Sequence, residues 1–366
     1  MRVPRLDRLV LVAGTLSALA SGPALAEPAF AVRTGYTCSQ CHANRTGGGM
    51  RTAFGSLYAQ TILPARLLSF DEARGLLPAD PDARLGYGGD ARFRYAYLRP
   101  DDADDTSSID VSQGNLYLEL RLIPGRLGLY LDETVGPGGA SARELFGLYG
   151  FRWANAWIKA GKLLPAYGWR LPDDDSFIRQ STGFTYSAPD NGIEFGVEPG
   201  RFSAVLSLTN GAGGGSDDDR TKKVNFRAEH RFRAFRLGVS AAHNDTAGTR
   251  TTWGGLFGGG NWGRLSLVLE GDRIETRQEE SRSERWVGYV EADLLVARGL
   301  TLKYVHDWLD PDADVDTDER TRDSLGFEYV PIPFVQARLF VRSHDGPPQV
   351  QGARGERIEL ELHLFF

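Results

Sequence analysis

Three things are missing or scarce in this sequence: sulfur, long apolar runs and a net positive charge. Its 366 residues include two cysteines and two methionines. Both cysteines sit in one short stretch, which leaves no second pair for a structural zinc site. No apolar stretch reaches the ~20 residues that a membrane-spanning helix needs. The one run that approaches it, Leu9 to about Ala20, is short and contains Gly and Ser. A net charge of −6 argues against nucleic acid as a partner.

That N-terminal run reads as an export signal. Arg2, Arg5 and Arg8 precede it, and Ala24-Leu25-Ala26 has the small-x-small pattern of a cleavage site. Residues 1–26 are therefore read as a signal peptide, with Glu27 as the first mature residue. Removing their three Arg and one Asp takes the net charge from −6 to −8. Abundant, by contrast, are glycine and the aromatics: 44 Gly, 19 Phe, 13 Tyr and 7 Trp. A soluble chain of this length needs a dense core, yet mean hydropathy is negative. Glycine- and aromatic-rich sequence without helical runs is the composition of an outer-membrane barrel, whose apolar belt uses only every second residue.

The two cysteines fall in Cys38-Ser39-Gln40-Cys41-His42. A lone Cys-x-x-Cys after export serves as a redox disulfide, half a zinc site or a haem anchor. No thioredoxin-like strand–helix–strand pattern surrounds it. The His directly after the second Cys is what c-type haem attachment needs: two thioethers hold the porphyrin and the next side chain reaches the iron as proximal ligand. Cys38 and Cys41 are thus the expected covalent attachment points of one c-type haem, and His42 its proximal ligand. For the distal position the candidates are Met50, eight residues on and the only methionine of the mature chain, and His363, whose strand parity puts it on the lumen side near the periplasmic end. The plainer reading of Met50 is packing for a short helix, Met50 to about Gln60, opened by Thr46-Gly47-Gly48-Gly49. The plainer reading of His363 is a solvated lumen side chain. His230 falls on the lipid-facing parity, His344 begins an external loop, and His243 and His306 are ambiguous.

From Arg84 onward the periodicity is two. Leu116, Leu118, Leu120 and Leu122 alternate with Asn115, Tyr117, Glu119 and Arg121, and Ile358, Leu360, Leu362 and Leu364 alternate with Arg357, Glu359, Glu361 and His363. One apolar and one charged face per strand means that the second face sees water, which a β-sandwich core does not tolerate. Short connections near Pro124-Gly125, Arg152, Pro199-Gly200, Arg233, Gly260, 297–299 and 331–333 alternate with longer polar ones at 100–108, 136–142, 164–189, 211–220, 245–250, 275–283, 310–320 and 344–353. Seven short and eight long connections make about 16 strands, within a range of roughly 14 to 18, with both termini periplasmic. Sixteen tilted strands ~4.8 Å apart enclose a diameter near ~30 Å, wide enough for a haem and a short helix. The expected fold is therefore all-β: a transmembrane antiparallel barrel over 81–366, with a short helical segment, 27–80, as a c-type haem plug.

The N-terminal segment resembles the fused monohaem cytochrome–porins, outer-membrane cytochromes associated with iron oxidation. The resemblance rests on Pro28-Ala29-Phe30-Ala31, Arg33-Thr34-Gly35, Cys38-Ser39-Gln40-Cys41-His42 and Ala53-Phe54-Gly55, and covers roughly residues 28–60. That family carries a Pro/Leu-containing segment where this chain has Thr46-Gly47-Gly48-Gly49-Met50. The stretch Lys159-Ala160-Gly161-Lys162-Leu163-Leu164-Pro165-Ala166-Tyr167-Gly168-Trp169 is similar to a strand-to-loop motif of general porins. The resemblance implies electron transfer across the outer membrane, between an extracellular donor or acceptor such as Fe(II) and periplasmic c-type cytochromes. The alternative is a diffusion porin whose haem segment is a structural or gating plug. No second cofactor motif and no catalytic residue is visible. The acidic runs Asp101 to Asp105, Asp173 to Asp175, Asp217 to Asp219 and Asp310 to Asp318 read as solvated external loops, or as loops that gather divalent cations.

Overall fold

The computed structural model describes residues 28–75 and 83–366, apart from 137, 218, 247 and 280; the expected signal peptide, 1–26, lies outside the described residues. The sixteen strands are β1 (Leu85–Pro100), β2 (Thr106–Ile123), β3 (Leu127–Gly136), β4 (Ser141–Gly150), β5 (Trp157–Leu163), β6 (Asp190–Val197), β7 (Phe202–Thr209) and β8 (Lys223–Arg231), followed by β9 (Phe235–Thr246), β10 (Thr249–Trp262), β11 (Leu265–Gln278), β12 (Ser281–Ala297), β13 (Leu300–Asp310), β14 (Arg320–Tyr329), β15 (Val335–Asp345) and β16 (Gly355–Phe365). Each pairs antiparallel with its sequence neighbours, and β1 pairs with β16, from Asp90↔Phe365 to Pro100↔Gly355, closing one barrel. Closure leaves no unpaired strand edge, the condition for a sheet in lipid.

The period-two pattern sorts side chains as expected. Leu116, Leu118, Leu120 and Leu122 point outward, as do Ile358, Leu360, Leu362 and Leu364, and together such rows form an apolar belt. No described helix is long and apolar enough to cross a membrane. The inner face differs from the solvated one expected, because many of its charges are buried in pairs. Lys159 and Glu194 lie 2.7 Å apart and fully buried, Lys303 reaches Glu291 at 2.9 Å and Asp293 at 3.2 Å, and Arg322 grips Asp307 at 2.6 Å. Charges removed from water persist only with such partners.

Three connections differ from the sequence reading. The turn expected at Gly260 comes later, at 263–264, because β10 continues to Trp262. The long loops expected at 245–250 and 275–283 are two-residue connections, with Thr246 paired to Thr249 and Gln278 to Ser281. Polar sequence there marks strand that extends into water, where cross-strand pairs such as Arg273 with Glu284, 2.5 Å, prolong the ladder.

Two elements fill the lumen. Before β1 come α1 (Pro28–Thr34), α2 (Cys38–Cys41), α3 (Ala53–Thr61) and α4 (Phe70–Gly75). They form a plug at the short-turn end: Ala65 N donates to Val330 O at 2.8 Å and Arg66 N to Pro331 O at 3.0 Å, in the β14–β15 turn. Arg236 reaches back from the start of β9 to the carbonyls of Ala31, 2.7 Å, and Tyr36, 2.9 Å. The α3 helix begins at Ala53, later than the expected Met50, because Thr52 caps it by accepting from Gly55 N at 3.1 Å.

The second lumen element is the β5–β6 connection, 164–189, which turns inward and carries α5 (Phe177–Thr182). Tyr167 Oη donates to Asp272 at 2.7 Å, and the amides of Gly168 and Trp169 donate to Ser240 and Glu270, both at 2.8 Å. Gly168 has φ +46°, and a Cβ there would lie 1.7 Å from a Glu270 oxygen, so only glycine passes. Asp173 therefore does not belong to a solvated external run: it is gripped from the wall by Arg322 at 2.9 Å and Arg342 at 2.6 Å.

Candidate haem-attachment site

Cys38 and Cys41 stand three apart on the single turn of α2 and so share a face, both as free thiols. Gln40 Oε1 accepts from Thr37 N at 2.8 Å, and His42 N donates to Cys38 O at 2.9 Å, which fixes the turn at both ends. The start of α3 docks on it: Thr52 N donates to Cys41 O at 2.9 Å and Thr52 Oγ1 to Gln40 O at 2.7 Å. The approach is close enough that a Cβ on Gly55 would lie 2.2 Å from the Cys41 carbonyl oxygen, a physical reason for the Phe54-Gly55 pair.

Between these two docked elements the chain makes a small antiparallel ladder. His42 pairs with Arg51, and Ala43 N donates to Met50 O at 3.0 Å. The enclosed loop is pinned to the wall through Asn44, which is fully buried. Its amide donates to Glu144 at 2.7 Å, and its carbonyl accepts from Lys159 at 3.0 Å. Arg170 of the inward loop adds a bond to Gly47 O at 2.8 Å.

Cys38, Cys41 and His42 together line one cavity in the lumen, between the plug and the inward loop. Its wall carries six arginines, Arg45, Arg51, Arg170, Arg227, Arg231 and Arg236, against two glutamates, Glu198 and Glu229. Burial raises the Cys38 thiol and pushes Cys41 up to about 11, so both are held as thiols. Burial, aided by the nearby Arg51 charge, lowers His42 to about 4, so the ring is neutral, the form that binds a metal.

These residues fit a covalently attached haem. Two thiols and an imidazole face one shared space, walled by aromatic and aliphatic side chains as well as arginines. The His42 Nδ1 atom is buried with no hydrogen-bond partner, so the ring is not committed to the protein through that atom. A wall with excess positive charge suits a ligand bearing carboxylates.

The distal candidates lie elsewhere. Met50 is buried with Tyr117, Tyr130, Phe146 and Leu163 against the barrel wall, and does not line the cavity. His363 does face the lumen, but its Nδ1 lies 2.7 Å from the Gln336 side-chain amide and it too is off the cavity wall. Among the described residues no group of three or more His, Cys, Asp or Glu side chains is arranged to hold a metal ion, in the acidic connections or elsewhere. Sequence reasoning missed Asn44, Arg170 and Tyr186. Asn44 carries no motif, and the other two come from a loop whose inward turn only the porin-like Lys159–Trp169 stretch hinted at.

Tyr186 has a particular place. Its ring, flanked by Arg143 at 5.1 Å and Arg170 at 5.9 Å, borders both the cavity lined by the two cysteines and a second, polar cavity toward the long-loop rim, lined by Arg92, Asp173 and Asp174 among others. On the other side a cleft bordered by His42, Arg45, Glu198 and the short turns reaches the opposite rim.

No protein-family model matches the chain, and no curated protein matches it. Solved structures do. OmpT with loop L8 deleted, an outer membrane protein of Vibrio cholerae, superposes with a TM-score of 0.61 at 14% identity, over 77% of this chain and 99% of that one. The anion-selective porin from Comamonas acidovorans gives 0.60 at 12%, over 77% and 99%. The outer membrane channel DcaP of Acinetobacter baumannii gives 0.58 at 10%, over 77% and 97%. The class is thereby defined: a sixteen-stranded antiparallel barrel with the fold of outer-membrane porins.

Proposed function

We propose that this chain is an outer-membrane cytochrome–porin that moves electrons across the membrane through one c-type haem. The haem is held by thioethers to Cys38 and Cys41, with His42 on the iron. The observation that carries the reading is that these three side chains, close in sequence, line one cavity in the lumen of a barrel with an apolar outer belt. The resemblance of residues 28–60 to fused monohaem cytochrome–porins supports it. So does the apolar outer belt, which needs a bilayer around it.

Bound haem supplies one-electron chemistry, which lipid and protein side chains do not. The protein positions that site between two approaches. The short-turn rim, placed in the periplasm, offers a cleft bordered by His42 and Arg45 to a periplasmic c-type cytochrome. The long-loop rim offers a polar cavity separated from the haem space by Tyr186 to an extracellular donor or acceptor, for which Fe(II) is the resemblance's indication. The plug and the 164–189 loop both line the cavity, and partial burial there would tune the haem's potential.

Proteoliposomes test it. With oxidised cytochrome c inside and a membrane-impermeant reductant outside, the wild-type protein is expected to reduce the trapped cytochrome and His42→Ala to abolish that. Transmission by His42→Ala, or a wild type that passes only solutes, would overturn the proposal.

A further inference from the structure

We infer that no His or Met of this chain completes the second axial position of the haem iron, which is left to a small exogenous ligand, a diatomic molecule or a small inorganic anion. This rests on the reading above, that haem is attached at Cys38 and Cys41 with His42 as ligand.

The inventory is short: six histidines and two methionines in the whole sequence. Met50 is the nearest to His42, and the ladder between them turns it away. In an antiparallel pair directly opposite residues share a face and the next residues point to the other. His42 is opposite Arg51, and both line the cavity. Ala43 and Met50 therefore project from the reverse face, and they are found packed together with Tyr117, Tyr130 and Phe146. The Met50 methyl lies 2.5 Å from where a Cβ on Gly86 of β1 would stand, hard against the wall. Bringing Met50 and His42 to opposite sides of one iron would require undoing the ladder.

The remaining histidines are no better placed. His230, His243 and His306 share the parity of the outward apolar residues in β8, β9 and β13. His344 lies near the end of β15 at the long-loop rim, paired with Gly355. His363 is the one rival: its Nε2 is buried without a partner. Yet its ring packs on Phe365, 5.1 Å between centroids, and Phe365 in turn carries the Arg51 guanidinium at 4.2 Å, so that pair covers it. Apart from His42 and the two cysteines, the cavity wall is made of aromatic, aliphatic, arginine and small side chains with Glu198 and Glu229, and holds no second His and no Met. Its six arginines favour an anion, and a polar distal side favours binding of such a ligand at the iron.

The test uses the full chain, haem-loaded in an exporting host and purified in detergent. Ferric protein is expected to give a high-spin electron paramagnetic resonance signal, to take up azide, and after reduction to bind carbon monoxide. Met50→Leu, which keeps the packed volume, and His363→Gln are expected to leave the absorption spectrum unchanged. A low-spin ferric signal that becomes high-spin in either variant overturns the inference, as does failure of azide or carbon monoxide to bind. A protein without covalent haem on a denaturing gel removes the attachment reading itself, an outcome distinct from haem present with both axial positions filled.

Discussion

At the scale of single residues, the site depends on positions that do no chemistry. Gly55 lets α3 approach Cys41 so closely that an added Cβ would meet the carbonyl oxygen at 2.2 Å. The backbone oxygen cannot swing aside, so Gly55→Ala must move the helix, at a cost of about 1–3 kcal/mol for such overpacking. Less covalent haem per barrel is the expected outcome, read by haem absorbance against protein, with unchanged barrel migration on an unheated gel. Asn44 is a second such position. Removing its amide in Asn44→Leu leaves buried Glu144 short of one hydrogen bond and Lys159 short of another. Each buried polar group left unpaired costs about 1–3 kcal/mol. The loop 43–50 should loosen, and cleavage after Arg45 or Arg51 in limited trypsin digestion should become faster, while the barrel resists as before. Equal digestion rates would show that the Asn44 contacts do not hold the plug.

At the scale of elements, the inward loop is the part most exposed to pH. Asp173 is held below the usual carboxylate range by Arg342 and Arg322, which outweigh the opposing effect of its burial. A carboxylate with a depressed folded-state value adds stability that is complete above its unfolded value, near ~3.9, and is lost as pH falls through the folded one. Docking of 164–189 should therefore be full at neutral pH and weaken below about pH 4. Asp173→Asn is expected to flatten that acid limb of the thermal unfolding curve, and an unchanged acid limb would sink the assignment. The strands themselves were legible from sequence because lipid imposes a strict period of two, and all sixteen were counted, although two connections expected to be long, at 245–250 and 275–283, are tight. What was not legible has one cause: polar sequence between apolar stretches reads alike whether it is strand extended into water, as at 245–250, a solvated loop, or a loop folded back onto charges in the lumen, as at 164–189. The Cys-x-x-Cys-His motif placed its three residues on one cavity because a single helical turn does so unaided. Met50 and His363 depended on facing relations that a one-dimensional spacing does not contain.

For the whole molecule the question is what the lumen elements do to passage. The barrel closes by its own ladder, β1 on β16, with no plug residue among the paired strands. Its outer belt is independent of the plug as well. A chain from which 28–75 are removed should thus still fold and insert, retaining a migration shift between unheated and boiled samples. Its conductance should differ sharply. In the intact protein the plug occupies the short-turn end, and the 164–189 loop, tied to Ser240, Glu270 and Asp272, crosses the space beyond it. Planar-bilayer recordings are expected to show little ion current for the intact chain and clear channel steps once the plug is gone, with a further rise when the inward loop is also shortened. If intact and plugless proteins conduct alike, solutes pass beside the plug. Electron transfer in the proteoliposome assay would then have to be measured against the leak of the reductant itself.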